Sequence, residues 1–195
     1  MNDTKILLRR GLRLEYLTLL WNIVGSVIVI ATAISADSVA LAGFGLDSLI
    51  EIGASMVVIW QLNGHNNRER LALRFISFAF FALAIYVVAQ SSFALWFHVH
   101  PTTSLLGIIW LALTFVVMLV LAAAKHSTGS KLNNQVLKTE AKVTLVDAYL
   151  AVSVLLGLIL NTFFGWWWAD PLAGFVIVFY GYIEGRHAWS ESNAV

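Results

Sequence analysis

The sequence predicts an all-α membrane protein: a six-transmembrane-helix bundle with both termini cytoplasmic. Three observations carry this. Of 195 residues, 59% are hydrophobic and only 12% charged, whereas a soluble domain carries about 25% charged residues. Six predominantly apolar runs of membrane-crossing length follow one another, separated by short polar connections. All twelve lysines and arginines fall on one side of that pattern.

The spans cover about 14–35, 38–62, 71–96, 103–124, 138–163 and 169–190, each near the roughly 20 residues needed to cross hydrocarbon. The first follows Arg9, Arg10 and Arg13. At about 20 residues it exceeds the roughly 7–15 of a signal-peptide core, so it reads as a retained helix. The connections SAD, NGHNNRER, FHVHPTT, KHSTGSKLNNQVL and FGWWWA leave no room for a domain. Residues 1–195 therefore read as a single transmembrane domain with no soluble domain. Pro101 and Pro171 fall at a loop and a helix start, where a missing N–H does no harm.

Lys5, Arg9, Arg10 and Arg13 precede span one, and Arg68, Arg70 and Arg74 surround the connection between spans two and three. Lys125, Lys131, Lys138 and Lys142 surround the connection between four and five, and Arg186 lies near the end of six. The positive-inside rule places this side, and both termini, in the cytoplasm. An odd number of spans would scramble the segregation. Trp96 and Trp166 to Trp168 form an outer aromatic belt, with Trp60 and Trp189 at the inner side. A net charge of +1 says nothing about partners, and the composition excludes a nucleic-acid role. With no cysteine, any metal site must use oxygen or imidazole ligands.

Asp47 and Glu51 interrupt the second apolar run, DSVALAGFGLDSLIEIGASMVVIW. Four residues make about one helical turn, so the two carboxylates share a face. A charge at the bilayer centre costs a few kcal/mol, and stacked acids repel. Counting inward from the helix ends puts Asp47 roughly 15 Å deep at about 1.5 Å per residue, level with Asp147 in span five. Glu51 lies about one turn closer to the cytoplasm. No lysine or arginine is expected at that level, so the countercharge is a substrate cation, protons or both. The plainer alternative is protonated acids hydrogen-bonded between helices.

Further polar groups in the spans have paired readings. Asn22 is a ligand or gate, or equally a helix–helix hydrogen bond. Glu15 and Glu140 lie near inner span ends, where Arg13 and Lys142 would pair with them; the sharper reading is an inner vestibule for cations. Glu184 is an ion-path residue or a partner of Arg186. Asp170, before Pro171, reads as a helix N-cap. His98 and His100 form an HxH, a spacing that can bind metal but that in a short aromatic loop reads first as interfacial, and His65 is a lone loop histidine. Phe75, Phe78, Phe80 and Phe81 read as packing surface toward lipid or a second subunit, and Gly181-x-x-x-Gly185 permits close helix approach.

The stretch DSVALAGFGLDSLIEIGAS resembles the second-helix signature of the cation diffusion facilitators, LKTEAKVTLVDAYLAVSVLLGLILN their fifth helix and WWWADPLAGFVIVFYGYIEG their sixth. The resemblance runs from about residue 9 to 190. It implies that family's transmembrane-domain fold and export of a divalent cation, usually zinc, commonly against protons, with a homodimer as partner state. Asp47 and Glu51 carry over to the helix-two pair of the transport site, and Asp147 to the last helix-five ligand. The remaining ligand position, four residues before Asp147, is Val143 here, which favours harder ions such as manganese or a less selective site. The family's C-terminal cytoplasmic domain has no counterpart, so the chain looks like a membrane-only branch.

The expected function is thus divalent cation transport, of zinc or a related ion such as manganese, iron or cobalt. Proton-coupled efflux by alternating access is expected, with the metal bound transiently and no cofactor. Asp47, Glu51 and Asp147 lead the ligand set; Asn22, Glu184 and Glu15 follow. A monovalent or organic cation as substrate, or a metal-binding subunit that does not transport, stays open. Hydrolysis is disfavoured, because no HExxH or GxSxG appears and Asp47 and Glu51 share one face.

Overall fold

A computed structural model describes residues 2–62 and 69–194. Six helices follow in order: α1 (Asn2–Ala36), α2 (Val39–Leu62), α3 (Glu69–Phe97), α4 (Leu105–Leu132), α5 (Gln135–Phe164) and α6 (Ala169–Ala194). No strand occurs among the described residues. The placements of His65 and Arg68, and of the Trp60 ring, lie outside what is described.

The helices form two groups. In one, α1 packs on α2 and α4, and α4 packs along α5; in the other, α3 lies against α6. The α2 helix touches α3, α5 and α6, and so joins the groups. A core of Val29, Leu41, Phe44, Leu83, Val87, Leu111, Leu150, Val154 and Ile177 runs through them. Many large apolar side chains face outward instead, among them Ile34, Ile85, Leu105, Val120 and Phe163. That inversion is what a lipid solvent permits, since acyl chains are as apolar as leucine.

Among the described residues, five helices are long and apolar enough to cross a membrane: α1 from Lys5, α2 to Met56, α3 from Leu73, α4, and α5 from Glu140. The α6 helix misses that standard because Asp170, Glu184, Arg186 and Glu191 interrupt it. At 26 residues and about 1.5 Å per residue it is nonetheless long enough to span, and it packs against α3, α5 and α2.

The largest departure from the sequence expectation lies between spans four and five. KHSTGSKLNNQVL reads as a loop but is mostly helix: α4 continues to Leu132 and α5 starts at Gln135. Nothing in KHSTGSKL forbids a helix as proline would. The break comes at two asparagines. Asn133 takes the left-handed conformation (φ 50°) as the α4 C-cap, and the Asn134 side chain accepts from the Leu137 N–H as the α5 N-cap. Lys125 is therefore carried inside a helix.

Between α1 and α2 the link is equally short. Ser38 accepts from the Leu41 N–H. The Asp170 carboxylate of α6 accepts from the Ser38 hydroxyl and from the Val39 and Ala40 N–H groups, the latter two at 3.0 and 3.3 Å. Asp170 is thus a cap, as its type suggests, but it caps α2 rather than its own helix. Gly165 ends α5 in the left-handed region (φ 65°), where a side chain is costly. Of the Gly181/Gly185 pair, only Gly185 lies at a tight approach: a Cβ there would come within 3.0 Å of the Phe81 ring, against 3.7 Å to the nearest atom at Gly181. The Ser77 hydroxyl donates to the Gly185 carbonyl at the same crossing.

Candidate cation site

On α2, Asp47, Glu51 and Ser55 recur every four residues and are 3%, 4% and 0% exposed, so one buried polar stripe runs along the helix. On α5, Glu140, Thr144 and Asp147 follow at spacings of four and three, which keep them on one face, and are all buried. The two stripes face each other. The result is that Asp47, Glu51 and Asp147 come together, with one carboxylate oxygen from each lying within 4.8 Å of the others. Oxygens sharing one cation at about 2.0–2.6 Å lie roughly 3–5 Å apart, so the cluster is of the right size for an ion.

Neither Asp147 oxygen has a hydrogen-bond partner, although both are buried. Ionised carboxylate oxygens that are buried without a partner are costly, so these need a proton or a ligand. Glu51 has one donor, Asn22 Nδ2 of α1 at 2.8 Å. Asn22 is thus the helix–helix hydrogen bond of its plainer reading, yet the bond seats it beside the acids. Val143, at the family's fourth ligand position, supplies no donor atom.

Other residues are placed differently from expectation. Glu15 does not pair with Arg13, which is exposed, nor Glu140 with Lys142, also exposed. Both acids instead converge on Lys125 of α4, at 3.0 and 3.5 Å, with all three side chains buried. The Lys125 ammonium also donates to Thr144 at 3.1 Å. A basic group therefore does lie near the acids, about one turn from Asp147. Glu184 stands 3.9 Å from His187 rather than pairing with Arg186, and it is outside the three-acid cluster. His98 and His100 both pack on the Trp167 ring, with centroids 5.2 Å away, in keeping with an interfacial role. Phe75 and Phe78 face outward, whereas Phe80 is buried and Phe81 packs on Gly185 and Tyr182.

Lys125, Thr144 and Ser55 are the residues that sequence reading misses. For Lys125 the signal is the absence of proline between it and Asn133; for Ser55 and Thr144 it is their spacing of about one turn from Glu51 and Asp147.

The model of the cation efflux transmembrane domain matches residues 16–193. Comparison with curated proteins finds no match. The match covers the acids, the helices that present them and the apolar faces around them, which makes the chain a multi-pass membrane protein of cation transport. With nearly its whole length accounted for in this way, the chain belongs to the cation efflux family.

Proposed function

We propose that the protein carries a divalent metal cation out of the cytoplasm by alternating access, in exchange for protons, with Asp47, Glu51 and Asp147 as ligands. One observation carries the reading: three carboxylates from two helices meet at membrane depth, and both Asp147 oxygens lack a partner. An ion in this position would receive only oxygen donors from these acids. With Val143 in place of a fourth ligand, the donor set favours manganese and similar ions over tetrahedral zinc. When the cation leaves, protons take its place on the acids, and each carboxylate serves as ligand and proton carrier in turn. The segregated lysines and arginines support cytoplasmic termini. The proposal includes a homodimer held by membrane-helix contacts.

The test is metal flux in reconstituted vesicles over a panel of divalent and monovalent ions. Asp47→Asn and Asp147→Asn are expected to abolish divalent flux and metal-driven proton release together. Full flux in both variants would defeat the reading, and flux of monovalent ions alone would replace the substrate.

A further inference from the structure

We propose that Glu15, Glu140 and Thr144 form a second station for a divalent cation, and that the Lys125 ammonium is its tethered occupant, displaced when a cation enters. The proposal deepens the transport reading above and rests on it.

The cluster already holds a cation. Lys125 Nζ lies 3.0 Å from Glu15 Oε2, 3.1 Å from Thr144 Oγ1 and 3.5 Å from Glu140 Oε1, and all four residues are buried. Two carboxylates surround one ammonium, so the ionised cluster carries one negative charge that Lys125 does not neutralise. A second observation points to a ligand: Glu15 Oε1 is buried with no partner among the described residues. A divalent ion would match the two carboxylates in charge and use the spare oxygen. It would also find only hard oxygen donors, as at the triad.

Position assigns the cluster its role. On α5, Thr144 lies about one turn and Glu140 about two turns before Asp147. On α2, Ser55 lies one turn past Glu51 and donates to Glu140 Oε1 at 3.5 Å. The station thus continues the polar stripes from the triad toward the end of the bundle that carries the basic loops. In the other direction the buried neighbours are Leu41, Phe44, Ala151 and Val154. A cation approaching from the basic end meets the station before the triad. Lysine suits the tethered role, because a compact ammonium on a flexible four-carbon stem can withdraw without unfolding its helix.

Calorimetric titration with Mn²⁺ of the protein in lipid nanodiscs separates the two sites. Asp47→Asn/Asp147→Asn is expected to abolish binding. Adding Lys125→Met restores one Mn²⁺ per chain, adding Lys125→Arg instead does not, and Glu15→Gln on top of Lys125→Met removes it again. A folded Asp47→Asn/Asp147→Asn/Lys125→Met protein that binds no Mn²⁺ overturns the station. Undiminished binding in the Asp47→Asn/Asp147→Asn protein counts against the triad instead; the station then stands if Glu15→Gln abolishes that binding and falls if it does not. Should Lys125→Met fail to fold, Glu15→Gln alone, which keeps a balanced Lys125–Glu140 pair, decides the matter in vesicles. KM for Mn²⁺ entering from the basic side is expected to rise about tenfold or more with kcat within about twofold. An unchanged KM overturns the proposal.

Discussion

The α1, α2, α4 and α5 group has two unlike halves, divided by the acidic triad. On the side of the basic loops, Glu15, Ser55, Lys125, Glu140 and Thr144 are buried among apolar side chains such as Leu121, Leu137 and Ala141, and are joined across helices by ion pairs and hydrogen bonds. On the opposite side lie Val29, Leu41, Phe44, Ala151 and Val154. Of the buried hydroxyls there, Ser26 and Thr32 donate to carbonyls of their own helix, and Ser38 at the far end donates to Asp170. The contrast assigns different physics to the two ends of the proposed path. The charged half is held by contacts that another cation can replace one for one. The other half is held mainly by packing, with the Asp170 cap on α2 at its far end and a cavity between Ser38 and Leu46 along its side. In this conformation the buried polar stripes run from the triad toward the basic loops, and apolar side chains lie directly on its other side.

Four substitutions would break or sharpen that contrast. The largest effect is expected at the divide itself. Asp147→Asn removes a charged ligand and should weaken divalent binding by at least about 100-fold, the upper range seen for residues one step further from a metal; isothermal titration in nanodiscs checks it. Within the apolar half, Phe44→Ala leaves a cavity and should cost about 3–5 kcal/mol. That loss is read by denaturant titration of the solubilised protein, while stoichiometry at the triad stays at the wild-type value. An equal loss of binding would show that the apolar half shapes the site as well as packing around it. Asn22→Ala takes its amide donor from Glu51 and should cost about 1–3 kcal/mol. Because the partner is a proposed ligand, the same change should alter ion preference in a competition assay, which Phe44→Ala should not. The smallest effect is expected at the far end: Asp170→Ala removes the α2 cap and should cost about 1 kcal/mol, visible as a lower melting temperature with flux retained.

Much of the candidate site is legible in the chain because it rests on local periodicity. Asp47 and Glu51 share a face through their four-residue spacing alone, and the level of Asp147 follows from counting turns along its helix. The helix count and the segregation of basic residues also need only composition and order. Lys125 shows where such reading stops. It follows an apolar run and stands among loop-like residues, so it reads as an interfacial charge. Its burial depends on α4 continuing to Asn133, and its partner Glu15 is 110 residues away in the chain. Glu15 and Glu140 fail for the same reason. Each has a basic residue nearby in sequence, and each takes a partner from another helix instead.

Taken alone, the order and chemistry of the residues determined a helical membrane protein, the depth of its acids and the face each acid presents, since these follow from hydrocarbon thickness and the 3.6-residue turn. The tertiary structure decided which charges neutralise each other, which oxygens are left without a partner and toward which end the buried polar stripes continue. Those depend on distances between helices remote in sequence, and ion pairing in a low-dielectric interior is settled by a few ångströms of separation.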